Sequence, residues 1–272
     1  MLLVLGCGYL GRMFLNARKE DKQSYIASTT SADKIQELKV FAGSVLQLNG
    51  NDLSYLESLI DSIDTILVAV APGSAQSYED VYLNTAQNLK KVLKKVKKPL
   101  YLLCVSSTFV YEGIKGIADE DSPFVSTRDK AKILYETEKI YLSCQTKDIK
   151  VCVLRLGGIY GPGRELERRV EKICGKVLPG SPMEPTNHSH VIDVVSAAWY
   201  CIDHTIEGLI NVVNDSHPSK GELYRNLCNQ MRLASVEFDE TKRPDHGCGC
   251  IVSNKKIKNL GFMFSYLNLE DS

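Results

Sequence analysis

A glycine-rich turn close to the start of this 272-residue chain restricts its fold more than any other segment. The turn, Gly6-Cys7-Gly8-Tyr9-Leu10-Gly11, follows a short apolar run at Leu2–Leu5 and opens a helix-like segment. In such a GxGxxG, the first glycine allows a tight turn, the second lets the backbone approach a pyrophosphate, and the third lets the helix pack against the strand. Free N–H groups at the helix N-terminus attract the phosphates. The six residues from Gly6 to Gly11 are therefore predicted to bind a dinucleotide.

Strand-like and helix-like segments alternate over the first half of the chain. The apolar runs 65–71, 100–106 and 151–156 are typical of strands that are buried on both faces. Amphipathic helical segments at 82–97 and 127–144 lie between them. This alternation predicts an α/β fold of the Rossmann type, with a doubly wound parallel sheet.

The sequence changes character after about Gly163. Helical pieces at 165–174, 194–202 and Lys220–Met231 are separated by loops rich in proline and glycine, and residues 210–213 and 250–253 look like isolated strands. We expect residues 1–163 to form an NAD(P)-binding Rossmann domain and residues 164–272 to form a smaller C-terminal, substrate-side lobe. Part of that lobe, near residues 187–213, is expected to return to the Rossmann core.

Composition excludes several classes of protein. Basic and acidic residues each number 33, so the neutral chain has no overall field that would attract nucleic acid or an anionic membrane. The longest apolar run, 65–72, is too short to span a membrane, and no secretory signal is recognisable. Nine cysteines, mostly in apolar segments, indicate a reduced, cytoplasmic protein. No metal site is expected, because His246, Cys248 and Cys250 have no second ligand pair at zinc-site spacing.

The end of the second strand bears on the choice of dinucleotide. An Asp or Glu at this position would bind the ribose 2′-hydroxyl of NAD. Residues 27–32 contain no acid, and the hydroxyls of Thr29 and Thr30, together with Lys34, suit a 2′-phosphate. The sequence therefore favours NADP slightly over NAD.

Further cofactor contacts are expected at the ends of the next two strands. Asn49 is predicted to lie on the adenine side, whereas Asp52 either binds adenine or caps the following helix. The end of the buried run 65–71 contributes the remaining expected contacts, which are Ala69, Val70 and Ala71.

Several later stretches occur in an order that is typical of one family. They are Val105-Ser-Ser-Thr-Phe-Val-Tyr111, Asp119-Glu-Asp-Ser-Pro123, Leu154-Arg-Leu-Gly-Gly-Ile-Tyr-Gly-Pro-Gly163, Asn187-His-Ser-His-Val-Ile-Asp193, Ile210-Asn-Val-Val213 and Val252-Ser-Asn254. Together with the glycine loop, they resemble the extended and atypical short-chain dehydrogenase/reductases, in particular the NAD-dependent epimerase/dehydratase family. The resemblance implies hydride transfer to or from a small polar substrate, of which nucleotide sugars are the commonest in the family. It also implies a homodimer formed through the helical segments 82–97 and 127–144.

The family's chemistry uses a serine and a Tyr-x-x-x-Lys pair, and the resemblance places Ser107 at the serine position. Tyr135 and Lys139 have the spacing of one helical turn, which puts both on one face of a helix. In this interpretation Ser107 holds the substrate oxygen. Lys139 and the nicotinamide lower the pKa of the Tyr135 phenol, so that it can act as acid or base.

Counting back from Arg155 gives a different alignment of the same helix. Lys130 and Leu134 then stand at the tyrosine and lysine positions, and Glu138 matches a glutamate that follows the pair in the family. In that alignment the catalytic pair is missing. The sequence therefore leaves two functions open: an NAD(P)-dependent oxidoreductase or epimerase, and a non-catalytic NAD(P)-binding sensor or scaffold protein.

Three further residues are expected near the substrate. Tyr111 and Tyr160 are predicted to line the pocket. Arg164 is predicted either to hold a substrate phosphate or carboxylate, which arginine binds in bidentate fashion, or to be solvated.

Overall fold

The computed structural model of the protein describes residues 1–73 and 76–269. Its strands are β1 (Leu2–Leu5), β2 (Tyr25–Thr29), β3 (Ser44–Gln47), β4 (Thr65–Val68), β5 (Leu100–Ser107), β6 (Ile117–Ala118), β7 (Ile149–Leu156), β8 (Gly158–Tyr160), β9 (Val177–Pro179), β10 (His188–His190), β11 (Gly208–Val212), β12 (Glu237–Asp239) and β13 (Ile251–Val252). Its α-helices are α1 (Tyr9–Asn16), α2 (Ile35–Leu38), α3 (Leu56–Leu59), α4 (Thr85–Leu93), α5 (Asp129–Leu142), α6 (Leu166–Ile173), α7 (Val191–Asp203), α8 (Lys220–Met231) and α9 (Lys255–Asn259).

The central sheet has seven strands in the order β11-β7-β5-β4-β1-β2-β3. Strand β1 pairs in parallel with both β2 and β4, so that Leu3 lies opposite Ile26 on one side and Ile66 on the other. The chain extends the sheet first through β2 and β3 and then, in the other direction, through β4 and β5. This doubly wound order confirms the predicted fold class, and ligands of such sheets bind at the point where the order reverses.

The edge strand β11 and the strand pairs outside the main sheet differ from what the sequence predicts. Residues 210–213 were expected as an isolated strand, but β11 lies at the edge of the seven-stranded sheet. Three parallel pairs, β8–β10, β9–β12 and β6–β13, lie outside that sheet. Each of these strands has only two or three residues, which is too short for a hydrophobic period to be visible in the sequence.

The chain divides into two compact units. The first unit comprises Met1–Ser106, Lys132–Arg155 and Val195–Ile210. The second comprises Ser107–Ala131, Leu156–Val194 and the chain from Asn211 onward. The domain boundary predicted at residue 163 stays a prediction. In the described part of the chain, no helix has the length and apolar character needed to cross a membrane.

The core of the first unit lies on both faces of the central strands. Leu3, Ile66, Leu102 and Val151 are fully buried, one on each of four strands. Burial on both faces explains why these strands are continuous apolar runs rather than alternating patterns.

Helix α1, which follows the glycine loop, is held by an aromatic stack. The rings of Phe14 and Trp199 are nearly parallel, with centroids 4.2 Å apart. The Trp199 indole N–H donates a hydrogen bond to the Phe14 carbonyl oxygen at 3.1 Å. The Arg18 guanidinium lies 4.1 Å from the centre of the indole ring and pairs with Asp203. These contacts fix the direction of α1 within the first unit.

We expect Phe14→Ala to lower the free energy of unfolding by about 3–5 kcal/mol, because it leaves a cavity beneath a fully buried ring. Urea unfolding followed by the fluorescence of the single tryptophan measures this change. Val40→Ala, at a side chain that is 67% exposed, is the control and should change the value by no more than about 0.5 kcal/mol. Equal losses in the two variants would contradict the role of the stack.

Candidate functional site

The glycine loop makes a turn that leaves no room for a side chain at its first glycine. Gly6 has a φ of +84°, and a Cβ built on it would lie 2.9 Å from Val70 Cα. Its N–H donates to Ser28 Oγ at 3.0 Å, and the Cys7 N–H donates to the Ser28 carbonyl oxygen at 2.8 Å. Gly11 is constrained by packing alone, because its Cβ would approach Val4 Cγ1 to 2.9 Å. The first and third glycines therefore allow the close packing that the motif predicts.

The second glycine is different, because nothing lies within 4 Å of the position that a Cβ would take on Gly8. Gly8 precedes α1, and neither a side-chain cap nor an acidic residue occupies the first turn of that helix. Burial raises the pKa of the Cys7 thiol to about 12, which keeps this side chain uncharged. The loop therefore offers open backbone and a helix N-terminus without a competing anion, an arrangement that fits a pyrophosphate.

A cleft of about 370 Å³ lies at the ends of β2 and β3. Thr30 and Asn49, both predicted to contact the cofactor, line it together. Asp52 also lines it, and two hydrogen bonds from Ser54 lower the pKa of its carboxyl group. Sequence reasoning missed the other four lining residues, which are Gln47, Leu48, Ser54 and Tyr55. One leucine together with amide, hydroxyl, carboxylate and phenol groups suits a ribose and an adenine ring.

The other predicted cofactor residues of the first unit lie close to these features. Thr29 is buried, and its Oγ1 accepts a hydrogen bond from the Ser31 N–H at 3.2 Å. Ala69 continues β4 and donates its N–H to the Leu5 carbonyl oxygen at 2.9 Å. Val70 packs against Gly6, and Ala71 is exposed.

Helix α5 carries the predicted Tyr135 and Lys139. Tyr135 is half-buried, and the Lys139 ammonium lies 5.5 Å from the centre of its ring, so the two residues share a face as their spacing predicts. The ammonium also pairs with the Glu136 carboxylate at 3.2 Å, and the Lys139 side chain is 56% exposed. The catalytic role of this pair stays a prediction.

The same helix buries a carboxylate one residue before Lys139. Glu138 and Arg155 are 2% and 4% exposed, and Arg155 Nη2 donates to Glu138 Oε2 at 2.6 Å. Arg155 Nε donates to both carboxylate oxygens, and the Ser106 hydroxyl donates to Oε1. Four hydrogen bonds offset the cost of removing the carboxylate from water. The pair therefore fixes how α5 lies against β5 and β7 within the first unit.

The remaining predicted residues belong to the second unit. Ser107 is half-buried, and its Oγ accepts a hydrogen bond from the Phe109 N–H at 3.2 Å. Tyr111 and Tyr160 are each 1% exposed, so both are core side chains in this structure. The Tyr111 hydroxyl donates to Asn211 Oδ1 at 2.8 Å.

Arg164 is exposed at the end of a tight turn. Its N–H donates to the Gly161 carbonyl oxygen at 2.8 Å and closes the turn. The binding of a substrate anion by Arg164 stays a prediction.

Several buried polar residues of the second unit were not recognised as important from the sequence. The Glu120 carboxylate accepts a hydrogen bond from the Asn211 N–H at 2.7 Å, and burial raises the pKa of this carboxyl group. The Asp193 carboxylate accepts hydrogen bonds from the N–H groups of Ser265 and Tyr266, at 2.8 and 3.0 Å. A polar residue inside an apolar stretch signals that a partner exists, but nothing in the sequence identifies a partner about 70–90 residues away.

No three His, Cys, Asp or Glu side chains among residues 1–73 and 76–269 are placed to hold a metal ion together. His246, one of the residues considered for metal binding, has a lowered pKa, first because it is partly buried and second because Lys130 is near.

Comparisons with known proteins agree with this architecture. Residues 2–213 match the model of the NAD dependent epimerase/dehydratase family. Among solved structures, UDP-glucuronic acid 4-epimerase from Bacillus cereus, in complex with UDP-glucuronic acid and NAD, is 17% identical with a TM-score of 0.82, covering 99% of this chain and 95% of that chain. dTDP-glucose 4,6-dehydratase from Bacillus anthracis, in complex with NAD, is 18% identical with a TM-score of 0.79, covering 99% and 94%.

A functionally unknown conserved protein from Silicibacter pomeroyi is 20% identical with a TM-score of 0.77, and the match covers 98% of this chain and 94% of that chain. At these identities the likeness to solved structures shows the fold alone. The comparison with curated proteins gives no significant match.

We expect Glu138→Gln to lower the free energy of unfolding by about 3–5 kcal/mol, because it leaves the buried Arg155 charge without a counter-charge. Glu136→Gln, two residues away on the exposed side of the helix, is the matched control and should cost no more than about 1 kcal/mol. Urea unfolding of the two variants measures both values. Similar values would mean that the buried pair does not hold the helix in place.

Stability should also depend on His188, a 4% exposed residue of β10 whose burial lowers its pKa to about 3. The unfolded chain binds a proton at this residue below pH 6.5, whereas the folded chain does not, so the folded state loses stability as the pH falls below 6.5. The loss reaches about 2 kcal/mol at pH 5. His188→Phe should remove this part of the pH dependence in unfolding experiments. The exposed His204, changed to Phe, should leave it in place.

Proposed function

Because the chain belongs to the NAD-dependent epimerase/dehydratase family, we propose that it binds NAD or NADP at the glycine loop and transfers hydride between the nicotinamide and a small polar substrate. The observation that carries the proposal is the open backbone at Gly8, next to an α1 N-terminus that no side chain caps. Gly6 and Gly11 support it, because each is packed too tightly to carry a side chain.

The adenosine half of the cofactor is assigned to the cleft at the ends of β2 and β3. Asn49 and Tyr55 offer an amide and an aromatic ring for adenine, and Thr30 offers a hydroxyl to the ribose. The absence of an acid among residues 27–32 keeps the slight preference for NADP. The epimerase from Bacillus cereus and the dehydratase from Bacillus anthracis hold NAD, so both cofactors belong to the proposal.

The bound nicotinamide supplies a hydride donor or acceptor, and side chains of the protein must orient the substrate and move a proton. Ser107 is proposed to hold the reacting substrate oxygen. Tyr135, assisted by Lys139, is proposed to move the proton, and Lys130 is the other candidate for that task. Nucleotide sugars are the first substrate class to test, because UDP-glucuronic acid is bound to the epimerase from Bacillus cereus. Arg164 is proposed to hold a phosphate or carboxylate of such a substrate.

A second function, cofactor binding without redox turnover, is favoured by the buried Glu138. The contact of Glu138 with Arg155 supports the alignment in which Lys130 and Leu134 occupy the tyrosine and lysine positions. In that case the protein is a sensor or scaffold that responds to NAD(P). The homodimer and the cytoplasmic location remain predictions in both cases.

Calorimetric titration with NAD⁺, NADH, NADP⁺ and NADPH separately tests cofactor binding. We expect one cofactor to bind, and Gly8→Ala to weaken its binding about tenfold or more, because the methyl group occupies the approach of the pyrophosphate. The unfolding free energy of Gly8→Ala should change by no more than about 1 kcal/mol. Gly6→Ala is the contrasting variant, since a positive φ and the contact with Val70 should destabilise it by about 1–3 kcal/mol. Failure of all four cofactors to bind would reject the proposal.

Turnover separates the two functions. The protein is incubated with the cofactor that binds and with UDP-glucuronic acid, UDP-glucose or dTDP-glucose, and products and nicotinamide absorbance are followed. If Tyr135 moves the proton, Tyr135→Phe should lower kcat by about 100-fold and leave cofactor affinity unchanged. Unchanged turnover would remove Tyr135 from the mechanism, and Lys130→Met is then the variant to measure. Cofactor binding without turnover of any nucleotide sugar would favour the sensor or scaffold.

A further inference from the structure

Two cysteines of the second unit lie side by side in the segment His246-Gly-Cys248-Gly-Cys250. Both are free and buried, at 4% and 1% exposure. The Cys248 thiol donates to the Cys250 carbonyl oxygen at 3.4 Å, so the side chain of the first cysteine turns toward the second. Asn187 holds this arrangement, because its Nδ2 donates to Cys248 Sγ at 3.3 Å and to the Cys250 carbonyl oxygen at 2.8 Å.

The backbone around the pair already turns tightly. Gly247 and Gly249 have φ values of +97° and +73°, which residues with side chains rarely adopt. Because one residue separates the cysteines, their Cα atoms are at most about 7 Å apart, and disulfides usually join Cα atoms about 4.4–6.8 Å apart. A bond between the two sulfurs therefore needs only a local adjustment of this turn.

We propose that Cys248 and Cys250 form a redox-active dithiol in which Cys248 reacts first with a hydroperoxide and Cys250 then closes a disulfide. Nothing in the proposal depends on the NAD(P) chemistry proposed above. The two glycines with positive φ allow the turn to tighten, and the spacing of the cysteines by one residue places the second thiol within reach of the first.

The environments of the two sulfurs give them different roles. The neighbouring Cys250 side chain lowers the pKa of Cys248, and the positive charge of Lys220 lowers it further. The Cys248 side chain in turn raises the pKa of Cys250, and burial raises it further. Lys220 is ion-paired with Glu184, which offsets part of its charge, so its effect on the pKa of Cys248 is smaller than that of the Cys250 side chain. The thiolate is the nucleophile, and the thiol with the lower pKa forms it more readily. Cys248 is therefore assigned the attack on the oxidant, and Cys250 stays protonated until the second step.

A small oxidant can reach Cys248 because the residues on either side of it have no side chains. Both flanking glycines are exposed. The Cβ position of Gly249 has nothing within 4 Å, and that of Gly247 has only the end of the Lys220 side chain, at 3.6 Å. Cys174, the one free cysteine that is not buried, offers greater exposure, and its thiol donates to the Glu171 carbonyl oxygen at 3.3 Å.

The reaction balances without any other reagent. The Cys248 thiolate attacks one oxygen of the hydroperoxide, the O–O bond breaks, and water or an alcohol leaves with a proton from solvent. Cys248 is now a sulfenic acid. The Cys250 sulfur attacks the Cys248 sulfur, the S–O bond breaks, and the hydroxide leaves as water with the Cys250 proton. Two thiols have lost two electrons, the peroxide has gained them, and a dithiol reductant reverses the change.

Disulfide formation would change the contacts between this turn and the neighbouring backbone. The Cys250 thiol lies 3.9 Å from the Tyr111 carbonyl oxygen, and the Ile251 N–H donates to the Gly116 carbonyl oxygen at 2.9 Å. Oxidation removes the thiol donor of Cys250 and pulls on the first residue of β13. The turn therefore links the redox state of the pair to the segment that contains Tyr111.

Peptide mapping of the full-length protein tests the proposal. Trypsin releases residues 243–255 as one peptide that contains both cysteines and no other. Hydrogen peroxide titration followed by alkylation should show the loss of two free thiols and of two hydrogen atoms in this peptide, reversed by dithiothreitol. We expect this loss to be about tenfold faster than oxidation of Cys174. Slower oxidation than at Cys174, or oxidation to sulfinic acid without a disulfide, would overturn the proposal.

Two variants check which cysteine reacts first. Cys250→Ser should accumulate a sulfenic acid at Cys248, which dimedone traps, whereas Cys248→Ser should leave Cys250 without trapped product. Cys174→Ser is the control and should keep the disulfide between Cys248 and Cys250. Trapping at Cys250 in Cys248→Ser, at the rate seen for Cys248, would refute the assigned order. The wild-type peptide map decides the existence of the disulfide even if a variant fails to fold.

Discussion

The close contact between the glycine loop and the end of β4 is the constraint on which the cofactor side of the molecule depends. Gly6 adopts a positive φ where it packs against Val70, and its N–H donates a hydrogen bond to Ser28 Oγ near the end of β2. A side chain there would push the loop away from Val70, which follows β4. The contact also sets where α1 begins, so the open backbone at Gly8 and the stacking of Phe14 deeper in the unit both follow from it. One glycine therefore connects the packing of the sheet with its capacity to receive phosphates.

A second constraint is electrostatic. Glu138 and Arg155 are almost inaccessible to water, so each charge is tolerable only while the other is present. The Ser106 hydroxyl donates a further hydrogen bond to the Glu138 carboxylate. This contact orients the helix whose exposed side carries Lys139, paired with Glu136 at the surface. The best-defined charge contact of α5 is therefore the buried pair of Glu138 and Arg155, which holds the helix in place. Because this contact gives no evidence for catalysis, cofactor binding and catalysis have to be tested separately.

The second unit relies on polar contacts between segments that are far apart in sequence. Its strands are only two or three residues long, so side chains such as Asn211, Asp193 and Asn187 satisfy backbone groups that a longer ladder would pair. Asn187 takes part both in this framework and in the contact with Cys248. The thiol pair therefore lies within the network that orders the unit, and a change in its redox state acts directly on that network.

The sequence by itself determined the glycine loop, the doubly wound sheet and the family, because these depend on local patterns: glycine spacing, apolar runs and motifs within a few residues of one another. Only the tertiary structure decided that Glu138 meets Arg155, that Asp193 binds the backbone at Ser265, and that Tyr55 lines a cleft with Thr30. Each of these depends on partners brought together by folding from distant positions. Burial then sets their energies, because a charge or polar group that water would solvate must find its partner inside the protein.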